Sequence, residues 1–155
     1  MKFSTQEEYG LRCLLQIARS TNKNGMTIPQ ISQAEGLSEA NVAKMLRILR
    51  MGGIIESARG HEGGYRLART ADQIRIGDVL TVLGGRLFDH EFCEKHAGEE
   101  NICSHGTDCT LRHVWQTVQT AVDDVLMRLT LQDLVHPAQK PITEIKIPST
   151  LVSTT

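Results

Sequence analysis

The sequence has no apolar run of about 18 residues, so it offers no membrane-spanning helix. Its opening, Met1-Lys2-Phe3-Ser4-Thr5-Gln6-Glu7-Glu8, has no apolar signal core. Secretion is therefore not expected, and a cytoplasmic location is. There is no phosphate-binding glycine loop, no paired-carboxylate constellation and no nucleophile–base pairing, so the chain does not read as an enzyme. Internal repeats are absent. Close Cys-x₂₋₄-Cys pairs, the usual mark of structural zinc, are also missing. Nor is there an excess of one charge: the net is −1, which at face value argues against a nucleic-acid partner.

What is present is mostly helical periodicity. Residues 4–20 read as a helix with Leu11, Leu14, Leu15 and Ala18 on one face, and Ser4 with Glu7 fits a capping box. A short second helix runs from about Ile28 to Ala34, opened by Thr27 and Gln30, with Pro29 tolerated in the first turn. Gly36 ends it. Ser38 caps a third helix whose apolar face is Val42, Met45, Leu46 and Leu49, and Gly52-Gly53 stops it. Two short helices separated by four residues match a helix-turn-helix. A strand (Ile54 to Ala58), a glycine-rich turn and a return strand (Tyr65 to Ala68) follow, the order of a wing.

Beyond the wing, Ile76, Val79, Leu80 and Leu83 mark another short helix. Residues 86–108 show no sustained period, and so long a loop is usually functional. From Leu111 to Leu129 one apolar stripe (Leu111, Val114, Trp115, Val118, Val122, Val125, Leu126, Leu129) predicts a helix of about 28 Å. It has no obvious partner within the chain, so it reads as a dimer helix. Trp115 is expected in the core, packed under the loop. Thr130 to Asp133 caps a last short helix, and from Pro137 the chain reads as a loose tail. The fold class expected is mostly α with a small β-hairpin wing. Residues 1–83 form the DNA-binding unit, 84–109 a cysteine-bearing sensor loop, 110–135 a dimerisation helix and 136–155 a flexible tail.

The net charge conceals a partition. Residues 38–69 hold six basic and three acidic residues, a net of +3. Residues 89–109 hold six acidic and one basic, a net of −5. On the third helix Asn41, Lys44 and Arg47 oppose the apolar stripe, with Ser38 and Asn41 near the N-terminus where a recognition helix meets bases. Asn suits adenine edges and Arg guanine edges. In the wing, Arg59 and His61 would reach phosphate or minor groove, and Gly60, Gly63 and Gly64 beside Tyr65 would let its backbone approach a duplex closely. The bland alternative, solvated charges on ordinary helices, loses ground once helix-turn-helix and wing stand in register.

The acidic stretch also carries three of the four cysteines, spaced C-x₉-C-x₅-C at Cys93, Cys103 and Cys109. In a cytosolic chain such crowding points to metal or redox chemistry. Iron–sulfur clusters want thiolates, usually four. A fourth donor would come from nitrogen or oxygen, with His105 inside the loop and His113 one helical turn beyond Cys109 as candidates. Cys13, in the first helix, reads as a small core or surface residue. Three further readings stay open: a Cys₃His zinc site drawing on His90, His96, His105 or His113, a thiol switch, and cysteines without a ligand role.

Three segments carry a family resemblance. These are Met1-Lys2-Phe3-Ser4-Thr5…Tyr9-Gly10-Leu11-Arg12, the run from Leu49 through Gly60-His61-Glu62-Gly63-Gly64-Tyr65 to Arg69, and Ile74-Arg75-Ile76-Gly77-Asp78-Val79-Leu80. They resemble the IscR/NsrR/RirA family of bacterial winged-helix regulators over about residues 1–135. The resemblance implies a homodimer with crossed long helices on a palindromic double-stranded operator. It also implies an iron–sulfur cluster held by Cys93, Cys103 and Cys109. Some members add a carboxylate from the partner's first helix, at the place of Glu8 here. Others use a histidine at the place of Arg112, which cannot ligate. Histidine ligation would favour [2Fe–2S] over [4Fe–4S]. The third helix departs from the family's usual Tyr-Leu-Glu-Gln, reading Asn41-Val42-Ala43-Lys44, so the operator sequence should differ as well.

Overall fold

The computed structural model describes residues 3–58, 63–89, 91–97 and 109–137. Among the expected site residues, Arg59, Gly60, His61, Cys103 and His105 lie outside the described residues, as does the tail beyond Pro137.

Helix α1 spans Thr5–Arg19, α2 Ile28–Glu35 and α3 Glu39–Met51. Each begins where the sequence supplies a cap. Ser4 Oγ accepts from the Glu7 amide at 3.2 Å, and Glu7 Oε2 accepts from the Ser4 amide at 2.6 Å. These bonds satisfy amides that the first turn leaves without helical partners. At α2 the Thr27 amide donates to Gln30 Oε1 at 2.9 Å. Gly36 closes α2 in the left-handed region at φ +65°, where a side chain would be strained. Ser32 Oγ and the Leu37 carbonyl then bond across the turn, and Ser38 Oγ caps α3 through the Asn41 amide at 3.3 Å.

Strands β1 (Ile55–Ser57) and β2 (Tyr65–Leu67) pair antiparallel with Ile55 opposite Leu67 and Glu56 opposite Arg66. The wing has a third rung that the sequence does not announce. Met26, in the α1–α2 link, exchanges backbone bonds with Tyr65 at 2.8 and 3.0 Å. Gly64 is buried at that junction; a Cβ there would stand 2.8 Å from the Met26 carbonyl group. Its lack of a side chain therefore serves internal contact with the α1–α2 link rather than approach to a duplex.

A short 3₁₀ turn (Ala71–Gln73) leads to α4 (Ile76–Gly84), then α5 (Phe92–Lys95), α6 (Thr110–Leu126) and α7 (Leu131–Val135). The core joins Cys13, Leu14 and Ile17 of α1 to Ile31 of α2, Val42, Met45, Leu46 and Leu49 of α3 and Val79, Leu80 and Leu83 of α4. Burying each large aliphatic side chain contributes about 1.5–3 kcal/mol. Leu131 of α7 is fully buried in the same core. It is held by backbone bonds from Ile76 N to Leu129 O and from Leu131 N to Ile74 O, both 2.9 Å.

Three expectations change. The long helix ends at Leu126, so Leu129 belongs to the link into α7. The loop expected to be structureless contains α5, too short at four residues to show a period. Trp115 is not core: it is 44% exposed, and its ring leans on Phe92 of α5 at 6.1 Å between centroids. The periodic stripe gave its helix face correctly, but among the described residues α5 covers that end of α6 only in part. Leu111 and Val114 beside it are likewise about half exposed.

Candidate nucleic-acid interface and cysteine site

Burial of Val42, Met45, Leu46 and Leu49 fixes how α3 sits, and so turns Asn41, Lys44 and Arg47 outward together, three residues apart. All three are exposed, and none has a side-chain hydrogen bond or ion pair among the described residues. Their donors are therefore free for an incoming acceptor. Ser38 is exposed at the N-terminus of this helix, its hydroxyl oxygen engaged by the Asn41 amide. The exposed Arg50 reaches Ser57 Oγ of β1 at 3.4 Å, and Arg66 pairs with Glu56 across the wing at 2.7 Å. Gly63 is exposed and Tyr65 half-buried at the base of the wing. Sequence reasoning did not single out Arg50, which stands on the same exposed side of α3 as Arg47.

Besides the shared core, one polar junction ties α1 to the end of α2, just before the turn into α3. Arg12 donates from Nε to Glu35 Oε2 at 2.7 Å and from Nη2 to the Glu35 carbonyl at 2.6 Å, while Gln16 Nε2 donates to Glu35 Oε1 at 2.6 Å. Glu35 is the last residue of α2, just before the turn. The Glu35 carboxylate holds the Arg12 guanidinium above its ordinary range, with smaller help from Glu8 and Tyr9. The guanidinium also lies 5.7 Å from the Tyr9 ring centroid.

The segment after α4 holds two described cysteines. Cys93 sits in α5 and Cys109 is the N-cap of α6; both are half-buried and neither is in a disulfide. His113 follows one turn later, exposed, its amide bonding the Cys109 carbonyl at 3.4 Å. Glu8 is exposed on α1, acting on Arg12 through charge alone. Among the described residues no three metal-binding side chains converge within one chain. Thiols that are accessible and unpaired suit soft metal or sulfide-bridged iron, so the donor chemistry fits a cluster, and a complete donor set needs residues beyond these. Cys13 is different: fully buried, its thiol is pushed up to about 11, first by loss of solvation and then by the charge of Glu35. It is a core residue.

No helix among the described residues is long and apolar enough to cross a membrane. Comparison with known proteins follows the same lines. The family described as "Rrf2: Iron-dependent Transcriptional regulator" matches residues 3–137. The chain is 34% identical over 139 residues to protein rrf2 of Nitratidesulfovibrio vulgaris, covering 89% of each chain. It is 31% identical to the transcriptional regulator CymR of Bacillus subtilis, covering 86% of this chain and 89% of that one. The solved structure of B. subtilis CymR, titled the global cysteine regulator, superposes with a TM-score of 0.70 at 29% identity over 89% of this chain and 98% of that one. An IscR from T. potens gives 0.66 at 28% identity over 91% and 93%. CymR and the IscR relatives are named as transcriptional regulators, not enzymes. A helix-turn-helix with a wing, a row of unpaired donors on its second helix and full-length similarity to these regulators place the chain in the Rrf2 family of DNA-binding transcription regulators.

Proposed function

We propose that this regulator is a cytoplasmic homodimer, that it binds a palindromic operator, and that an iron–sulfur cluster sets its operator affinity. The observation that carries the metal reading is the pair of half-buried, unpaired thiols, Cys93 on α5 and Cys109 at the start of α6. Cys103 would be the third ligand. Glu8 of the partner, His105 or His113 would supply the fourth, with [2Fe–2S] favoured over [4Fe–4S]. A bound cluster supplies a redox- and ligand-sensitive cross-link. This chain's residues do the rest. Cys93 and Cys109 would fix α5 to the first turn of α6. Glu8, one turn before Arg12 on α1, would connect that site to the Arg12–Glu35 junction and so to the pose of α3. For two sites to be coupled, the bound and unbound states must differ in DNA affinity. A dimer reads half-sites about one helical turn apart, so a small change of pose alters both contacts.

The half-exposed stripe of Leu111, Val114 and Trp115 supports dimerisation through α6. The division of labour proposed is a DNA-binding unit over 1–83, a sensor loop over 84–109, a dimer helix over 110–135 and a tail over 136–155. Ser38, Asn41, Lys44 and Arg47, with Arg59, Gly60, His61, Gly63, Gly64 and Tyr65 of the wing, form the proposed DNA-contacting set. Gly64 enters through the shape of the wing.

The deciding experiment is anaerobic purification with iron and sulfide analysis and visible absorption. Iron, sulfide and a charge-transfer band are expected, and a colourless protein with stoichiometric zinc overturns the cluster reading. A second reading, a metal-free thiol switch, draws on the similarity to CymR of Staphylococcus aureus, whose structure is titled an oxidized form (TM-score 0.65, 26% identity, covering 90% of this chain and 100% of that one). Reversible loss of two free thiols on oxidation, with no iron bound, would favour it.

A further inference from the structure

A cavity of about 820 Å³ opens between α6 and the segment joining α4 to α5. That is the size range of small-molecule sites. One wall is a polar network internal to the chain. The Phe88 amide donates to Gln119 Oε1 at 2.9 Å, Gln119 Nε2 donates to Asp123 Oδ1 at 2.7 Å, and Arg86 bonds the other Asp123 oxygen. Gln119 is buried, and Asp123 neutralises Arg86. That wall is therefore built and its charges are matched.

The remaining charges of the lining are matched less closely. Arg112 is half-buried and makes no side-chain hydrogen bond or ion pair among the described residues. Asp89 has one cationic neighbour there, Lys95 at 4.0 Å, and Lys95 lies closer to Glu91, at 2.8 Å. A partly desolvated charge without a close partner costs free energy. Here Arg112 has no described partner, Asp89 shares Lys95 with Glu91, and the two, of opposite sign, line the same cavity. Gln116, one turn along α6 from Arg112, lines it too, with an amide that bonds no described residue.

We infer that this cavity binds a zwitterionic small molecule of the α-amino-acid class. The ligand's carboxylate meets Arg112 and Gln116, and its ammonium meets Asp89. A simple carboxylate would satisfy Arg112 and be repelled by Asp89; a simple amine would meet the reverse. Cys93 also lines the cavity, so an occupant would lie against a candidate sensing thiol.

The test is calorimetric titration of the full-length protein, as purified, with the standard L-α-amino acids at millimolar concentration, each beside the carboxylic acid lacking its α-amino group. At least one amino acid should bind saturably, and its des-amino partner should bind at least about tenfold more weakly, the loss of one charge-assisted contact. Arg112→Gln and Asp89→Asn should each weaken binding by a similar factor with unchanged circular dichroism and operator binding. No saturable binding by any amino acid overturns the proposal. So does equal binding of the des-amino acid, or indifference to Arg112→Gln. None of these outcomes bears on iron content, which is measured separately.

Discussion

The guanidinium of Arg12 grips Glu35 twice, at the carboxylate and at the main-chain carbonyl, with distances of 2.7 and 2.6 Å. The two residues are 23 positions apart, and the second closes α2 immediately before the left-handed Gly36. A planar guanidinium that bonds both groups fixes direction as well as distance, which a flexible ammonium does not. Arg12→Lys should therefore keep the charge and lose the orientation. We expect operator affinity to fall several-fold in Arg12→Lys and further in Arg12→Ala, with little change in helical content. Fluorescence anisotropy on an operator duplex, alongside circular dichroism, checks this; equal affinity in all three proteins would show that the junction does not set the pose of α3.

On α3, Lys44 and Arg47 stand exposed without partners among the described residues. If Lys44 meets phosphate, Lys44→Ala should weaken binding to all sequences and lower the slope of log affinity against log salt by about 1. If Arg47 meets a base edge, Arg47→Ala should cost about 1–3 kcal/mol at one operator position and relax preference there. Titrations at several salt concentrations against a set of operator variants separate the two roles.

Cys13 should be chemically silent in the native protein. It is fully buried, and burial raises its thiol to about 11. The thiolate is the nucleophile, so alkylation of the iron-free protein at pH 8 should mark Cys93 and Cys109 and spare Cys13 until denaturant is added, as read by peptide mass spectrometry. The sign for stability follows. Below about pH 9 both folded and unfolded forms carry the neutral thiol, and the contribution is complete. As pH rises toward 11 the unfolded chain ionises first, and that contribution is lost.

Asp133 works in the opposite direction. Bonds from the Thr130 hydroxyl at 2.7 Å and the Thr130 amide at 2.8 Å hold its carboxyl below the ordinary range. Its contribution is full above the unfolded carboxylate range and disappears as pH falls through the lowered folded value. Asp133→Asn should flatten part of the acid limb of stability between pH 5 and pH 2. Thr130→Ala removes the cap and should cost about 1 kcal/mol at neutral pH. Urea unfolding at a series of pH values measures both.

The helix-turn-helix was legible because its information is local. Ser4 with Glu7, Thr27 with Gln30 and the glycine at 36 mark helix ends, and the aliphatic period marks faces. The same rules were blind to α5, whose four residues complete barely one turn. They misjudged Trp115 because periodicity says which way a side chain points, not what lies opposite. The Met26–Tyr65 rung and the Arg12–Glu35 junction join residues far apart in sequence, with no pattern in either segment to declare them. At the cysteine site, spacing suggested a shared role for Cys93 and Cys109. The matched and unmatched charges around Arg112 and Asp89 emerge only when α6 is laid against the loop.

Leu131 carries a consequence for how the molecule divides. Residues after the long helix return to complete the core of the DNA-binding half, bonded at Ile74 and Ile76 and fully enclosed. The DNA-binding unit is thus discontinuous: two stretches of chain, one on either side of α6, make a single hydrophobic interior. A fragment cut after α4 would leave a hole where Leu131 sits. In the whole chain, the far end of α6 is tethered to that interior through the four residues between Leu126 and Leu131.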